Sequence, residues 1–204
     1  ELASHGYDHQ RVFTFTPDQF RDALRKSRQL LENTSGMPVM GYRAPSFSID
    51  TRTPWAHAIL AEEGYAYSSS VAPIAHDHYG WAGSPRFAWK PVAGSHFLEL
   101  PVTTAQLLGR TVAAGGGGFF RLLPYAFSRW AIRQVNGRDQ RPAIIYFHPW
   151  EIDPGQPHVA DAPLRSRMRH YSNLSVMATK LRRLMADFQW GRVDALVAQE
   201  SART

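Results

Sequence analysis

The chain alternates short apolar runs that end on a polar group with longer amphipathic stretches that open on a cap. That rhythm restricts it to a mainly parallel α/β sheet or a βα barrel. The most apolar run, Ala143-Ile144-Ile145-Tyr146-Phe147, reads as a strand that delivers His148. Pro38-Val39-Met40-Gly41-Tyr42 reads as a short strand that delivers Arg43, and Leu2-Ala3 precedes His5. Tyr65-Ala66-Tyr67-Ser68 and the alternating Phe97-Leu98-Glu99-Leu100-Pro101 add two more strands. In folds of this kind the reacting groups gather at the C-terminal ends of strands, where His5, Arg43 and His148 all fall.

The intervening stretches carry helix signals. Thr16-Pro17-Asp18-Gln19 places Thr16 as N-cap, Pro17 at the first helical position and Gln19 in a capping box, with Phe20, Leu24 and Leu31 on the apolar face and an end near Ser35-Gly36. A second helix starts at Thr53-Pro54, buries Trp55, Ile59 and Leu60, and stops at Gly64. A third spans Pro124 to Val135 with Gly137 just beyond, and a fourth covers about Leu174 to Phe188. Residues 70–96 read as a long ordered loop of the kind that carries substrate contacts. The run Gly115 to Gly118 is followed by no Lys-Ser or Lys-Thr, which argues against a P-loop and for a close backbone approach or a hinge.

A length of 204 residues with no linker or repeat fits a single domain over 1–204. No apolar run reaches the roughly 18 residues of a membrane span. The absence of Cys leaves His, Asp and Glu as the strong metal ligands. The net charge of +6 could attract nucleic acid or acidic glycans. Much of it lies in Arg165, Arg167, Arg169, Lys180, Arg182 and Arg183, which read as solvated faces of a loop and a helix. No stacking-aromatic motif accompanies them, and no nucleic-acid partner is read. The opening Glu1-Leu2-Ala3-Ser4-His5 has no Met and no leader-like region, so it reads as a start inside a domain. The compartment, bacterial cytoplasm or periplasm, is not written in these residues.

In His5-Gly6-Tyr7-Asp8-His9 two imidazoles four apart are either a metal pair or a hydrogen-bonded surface pair, and Asp8 is badly placed to join them. The missing Glu of His-Glu-x-x-His argues against a zinc peptidase. His148 is either a general acid or base or a histidine satisfied by a carbonyl. His76-Asp77-His78 fits substrate contact or hydrogen bonding better than a second metal site.

Ser4-His5-Gly6-Tyr7-Asp8-His9 resembles the His-x-x-x-His metal motif of the NodB-homology polysaccharide deacetylases, carbohydrate esterase family 4. Arg43-Ala44-Pro45-Ser46-Phe47 is similar to that family's Arg-x-Pro motif, and Ile145-Tyr146-Phe147-His148 to its late strand with the catalytic His. Ser68-Ser69-Ser70, His76-Asp77-His78-Tyr79-Gly80 and Phe147-His148-Pro149-Trp150-Glu151-Ile152-Asp153-Pro154 resemble a subgroup associated with bacterial exopolysaccharide and exosortase loci. The resemblance implies a distorted (β/α) barrel of fewer than eight repeats and a divalent metal, zinc-like, held by His5, His9 and an Asp. It implies removal of N-acetyl groups from an N-acetylated polysaccharide, with the metal polarising the amide carbonyl and activating water. On that model His148 protonates the leaving amine, Arg43 orients a catalytic Asp, a backbone N–H around Ser46 holds the oxyanion, and Trp150 is a groove wall or a core residue. The strand expected before Glu1, with its paired Asp residues, is missing, since Asp-Asp occurs nowhere in the chain. The alternative is a non-catalytic glycan-binding member of the same fold.

Overall fold

The computed structural model describes residues 1–76 and 79–203, and within it the chain forms two compact units. The first holds Glu1–Val102 together with the C-terminal stretch from Gly191, and the second holds Thr103–Trp190. In the first unit four short strands, β1 (Ala3–Ser4), β2 (Gly41–Tyr42), β3 (Tyr67–Ser68) and β4 (Leu98–Glu99), pair in parallel in the order β1-β2-β3-β4. Ala3, Gly41, Tyr67 and Leu98 lie in register across it. Gly41 permits that register, because a Cβ there would sit 2.2 Å from the Tyr67 ring.

Helix α1 (Pro17–Ser35) follows β1. The Thr16 hydroxyl accepts from the Gln19 amide, the Gln19 side chain accepts from the Thr16 amide, and Gly36 ends the helix in the left-handed region. Phe20 and Leu24 are buried against Tyr42, Tyr65 and Trp55, each contributing about 1.5–3 kcal/mol. Ser27 shares their face because its hydroxyl meets Ser4 Oγ at 2.8 Å. Helix α2 (Ala56–Glu62) starts two residues later than Thr53-Pro54 suggests, since residues 53–55 make a turn closed by the Ala56 amide on Thr53 O. Its C-terminal Glu62 and Glu63 hold Arg21 and Arg25 of α1.

The second unit opens with an antiparallel hairpin that the sequence reading does not anticipate, β5 (Thr104–Leu107) and β6 (Arg110–Ala113). Leu108 and Gly109 make its turn, both with positive φ (49° and 78°), as a two-residue I′ turn requires. Helix α3 (Gly117–Leu122), also unanticipated, precedes α4 (Tyr125–Arg133), which runs into a π-helical turn over Gln134–Arg138 that absorbs Gly137. Helix α5 (Leu164–Tyr171) buries no side chain, whereas α6 (Leu174–Asp187) packs Met177 and Leu184 against Phe120, Tyr125 and Ile132. Helix α7 (Val193–Ser201) returns to the first unit.

Two expectations are corrected here. Residues 143–147 form no ladder: Tyr146 makes a single bridge to Gly116, and Ile144 bonds Thr103 through its carbonyl and amide. The run is apolar because Ala143, Ile145 and Phe147 pack on the cluster around Phe120 and Met177. Lys180 is not a solvated charge either. Its ammonium donates to the carbonyls of Phe120, Arg121 and Leu123, closing the C-terminus of α3, and burial lowers its pKa.

Candidate active site

In the first unit the site is built at the carboxyl ends of β1, β2 and β3. Gly6 (φ 84°) and His9 (φ 53°) both take left-handed backbone and curl the loop after β1, bringing the His5 and His9 rings to 4.9 Å between centroids in an edge-to-face arrangement. His5 Nδ1 lies 2.8 Å from the Arg43 carbonyl. A carbonyl only accepts, so Nδ1 carries the proton and Nε2 carries the lone pair of the neutral ring. Orientation of a metal-binding histidine by a carbonyl on its second nitrogen is a usual arrangement. The donor set therefore fits a divalent metal as two imidazole ligands. Among the described residues no third His, Asp or Glu joins them in a ligand group, Asp8 included.

The Arg43 guanidinium donates from Nε to Ser69 O (2.9 Å) and from Nη2 to Ser69 Oγ (2.7 Å). The Ala44 amide donates to Ser70 Oγ at 2.9 Å. Ser69 and Ser70 are fixed in turn by a carboxylate that sequence reasoning missed. Glu99, fully buried in β4, accepts from the Ser70 and Val71 amides at 2.7 and 2.8 Å through Oε1. Its Oε2 meets buried His57 Nε2 at 3.0 Å. A charged residue inside Phe97-Leu98-Glu99-Leu100 reads as the polar face of a strand, and His57 inside an apolar helix face was the available second signal. Ser46 is exposed, and it and Phe47 occupy the left-handed region in succession (φ 56° and 49°), where side-chain-bearing residues are uncommon. Ser48 pins the turn, donating to Pro45 O and accepting from the Val12 amide.

In the second unit His148 caps a short 3-10 turn, Pro149–Ile152. Glu151 Oε1 accepts the His148 amide and meets its Nδ1, both at 3.1 Å. The carboxylate is buried and the imidazole half-exposed. Glu151 Oε2 faces Arg121 Nε at 3.5 Å, an ion pair without hydrogen-bond alignment. Arg121 is buried and donates to the carbonyls of Arg169, His170 and Ser172; burial lowers its pKa and Glu151 opposes the shift. Gly117 makes room for this carboxylate, since a Cβ there would lie 2.3 Å from Glu151 Oε1. The glycine run is thus a close approach. Trp150 is stacked between His148 (5.5 Å, 21°) and His170 (4.1 Å, 15°). Burial and then Arg121 lower the His170 pKa. Glu151, three residues after His148 with Pro between, has the spacing of a capping box, which was the signal for this pair.

Of the residues singled out in sequence, the first unit holds His5, His9, Arg43 and Ser46, and the second holds His148 and Trp150. His76 stacks on Tyr79 at 4.3 Å, whereas Asp77 and His78 lie outside the described residues.

A family profile described as a domain of unknown function (DUF3473) matches residues 69–198, and the polysaccharide deacetylase profile matches residues 1–67. The chain belongs to the DUF3473 family, and its first 67 residues match the polysaccharide deacetylase profile. The peptidoglycan deacetylase-like protein FGM2 of Gibberella zeae is 35% identical over 72 residues, covering 35% of this chain and 20% of that protein. The peptidoglycan deacetylase of Helicobacter pylori is 31% identical over 71 residues, covering 35% of this chain and 23% of that protein. The chain thus spans about a fifth of the length of the curated relatives it matches. A crystal structure assigned as a polysaccharide deacetylase from Mycobacterium smegmatis aligns with all of this chain and 63% of its own, at a TM-score of 0.57 and 21% identity. That likeness shows the NodB-like α/β fold. No described helix is long and apolar enough to cross a membrane.

Proposed function

We propose that this chain belongs to a metal-dependent hydrolase that removes N-acetyl groups from N-acetylhexosamine units of a bacterial exopolysaccharide. The observation that carries the reading is the His5–His9 pair at 4.9 Å with the His5 ring turned by the Arg43 carbonyl. His5 and His9 would hold the metal, zinc by the preference of a nitrogen and oxygen donor set without thiolate. When bound, the metal supplies Lewis-acid activation of the amide carbonyl and of water. Arg43, clamped by Ser69, fixes the His5 ring through its carbonyl and offers its guanidinium to a carboxylate. The Ser46 amide, on strained backbone, is the donor for the oxyanion.

His148 is the general acid. With Nδ1 donating to Glu151, Nε2 is the nitrogen that delivers a proton to the leaving amine. Trp150, stacked on His148, keeps that ring in place and lends its remaining edge to the sugar groove.

The test is acetate release from N-acetylglucosamine oligomers by the full-length protein and two variants. His148→Ala should bind zinc as the wild type does and lose roughly 10²–10⁴ in turnover, while His5→Ala should lose zinc and turnover together. Sugar binding that survives both changes, with no acetate released by the wild type, would replace this reading with the glycan-binding one.

A further inference from the structure

The second unit carries an open cleft of about 560 Å³ whose lining is basic and aromatic and includes none of the candidate catalytic or metal-binding residues. Arg129 and Arg133 stand one turn apart on α4, Arg138 comes from the π-helical turn and Arg183 from α6. Two of the four have carboxylates: Arg129 Nε lies 3.0 Å from Asp187 and Arg138 Nε 3.2 Å from Asp139. Arg133 and Arg183 have no carboxylate within ion-pair reach among the described residues, and Arg183 instead lies 4.5 Å over the Tyr125 ring. Tyr125 does not offset the charge. Burial and its bond to Asp187 push its pKa up to about 12, so it stays a neutral phenol. With Arg129 and Arg138 held by carboxylates, the charge left uncompensated in the cleft is that of Arg133 and Arg183, which an anion would offset.

The cleft is also shaped. Trp130, 36% exposed and packed on the Phe127 ring at 5.5 Å, presents part of its indole to the cleft, a surface on which a sugar ring can stack. The π-helical turn is held by a two-way amide pairing, Gln106 N–H to Gln134 Oε1 at 2.7 Å and Gln134 Nε2 to Gln106 O at 2.9 Å. Gln134 and Arg138 are therefore presented from fixed backbone.

We propose that this cleft binds an acidic sugar unit, its carboxylate taken by Arg133 and Arg183 and its ring lying on Trp130. Planar guanidinium groups match carboxylates in two-point geometry, and an indole face suits the apolar face of a pyranose. A cleft of about 560 Å³ has room for a sugar unit. The inference deepens the deacetylase reading, on which it rests: the polysaccharide substrate carries uronate residues among its N-acetylated ones.

The experiment is calorimetric titration of the full-length protein at low salt with an oligogalacturonate, an N-acetylglucosamine oligomer of equal length and a thymidine oligonucleotide. The oligogalacturonate should bind most tightly, should weaken as salt is raised, and should lose about tenfold or more in the Arg133→Glu, Arg183→Glu double variant. Arg133→Gln alone, at an exposed position, should give a smaller loss in the same direction and decides the matter if the double variant fails to fold. Equal binding of the two sugars, no loss in either folded variant, or tighter binding of the oligonucleotide would overturn the proposal. Acetate release by the wild type is measured alongside. Its absence with oligogalacturonate binding intact would retire the deacetylase reading and leave the acidic-sugar site standing.

Discussion

Two buried carboxylates hold the two halves of the candidate machinery in place, and each has a different partner set. Glu99 satisfies two backbone amides and His57, so Glu99→Ala should destabilise the first unit by about 2–5 kcal/mol, read by urea unfolding. Stability within 1 kcal/mol of wild type would show that water replaces the carboxylate there. Glu151 holds the His148 ring, so Glu151→Gln should lower kcat for acetate release by about 10- to 100-fold, part of a general-acid contribution of about 10²–10⁴. KM and zinc binding should stay put while kcat falls, a split that a merely structural role would not produce. Glu99 stands out in the sequence as nothing but the polar face of a strand, because a single Glu next to Leu carries no sign of the amides it will meet, and Glu151 is marked only by its capping-box spacing to His148. The His5 and Arg43 positions were legible for the opposite reason: each follows an apolar run that pairs in the sheet, and a polar group there faces its open end, whereas the run before His148 pairs in no ladder.

The elements divide by how local their signals are. Helix α1 was readable from end to end because its capping box, its Pro and its Gly act within one turn of each terminus. The β5–β6 hairpin was not, because Leu108 stands where Asn or Asp would announce an I′ turn. Leu108→Asn should therefore stabilise the second unit by about 0.5–1 kcal/mol, since Asn tolerates left-handed backbone that Leu resists. A lowered melting temperature would mean that the exposed leucine is held there by a partner. The Ala143–Phe147 run misleads in the other direction: burial against a helix cluster and burial in a sheet leave the same apolar signature.

Helix α5 adds a pH dependence. Burial, with the Arg121 charge behind it, keeps the folded-state pKa of His170 below the ordinary value near 6.5. In that window the unfolded chain takes up a proton that the folded one refuses, so stability falls as pH drops below about 6.5 and through the folded value, and nothing is lost above it. Melting temperature against pH should show this decline in the wild type and a flatter curve in His170→Gln. Parallel curves would exclude His170 as the source.

At the scale of the molecule, a compact parallel sheet carries the imidazole pair and the Arg43 loop, and a second unit built on α4 and α6 carries the His148–Glu151–Arg121 array. The βα alternation shows the fold class, but it says nothing of Thr103, where the chain passes from one unit to the next with only Pro101, which the sequence reads as the end of a strand, to mark it. The basic composition finds its use at the same scale. Part of the +6 charge is gathered into one cleft, where a summary of net charge cannot reveal it.

The central claim is that a metal at His5 and His9 drives amide hydrolysis on a glycan. The direct measurement is acetate release from an N-acetylglucosamine oligomer by the full-length protein before chelation, after chelation and after zinc is returned. Loss on chelation and recovery with one equivalent of zinc per chain is the predicted result. Release that continues unchanged in chelator, or a folded zinc-loaded protein that releases none from any N-acetylated glycan tried, would contradict it.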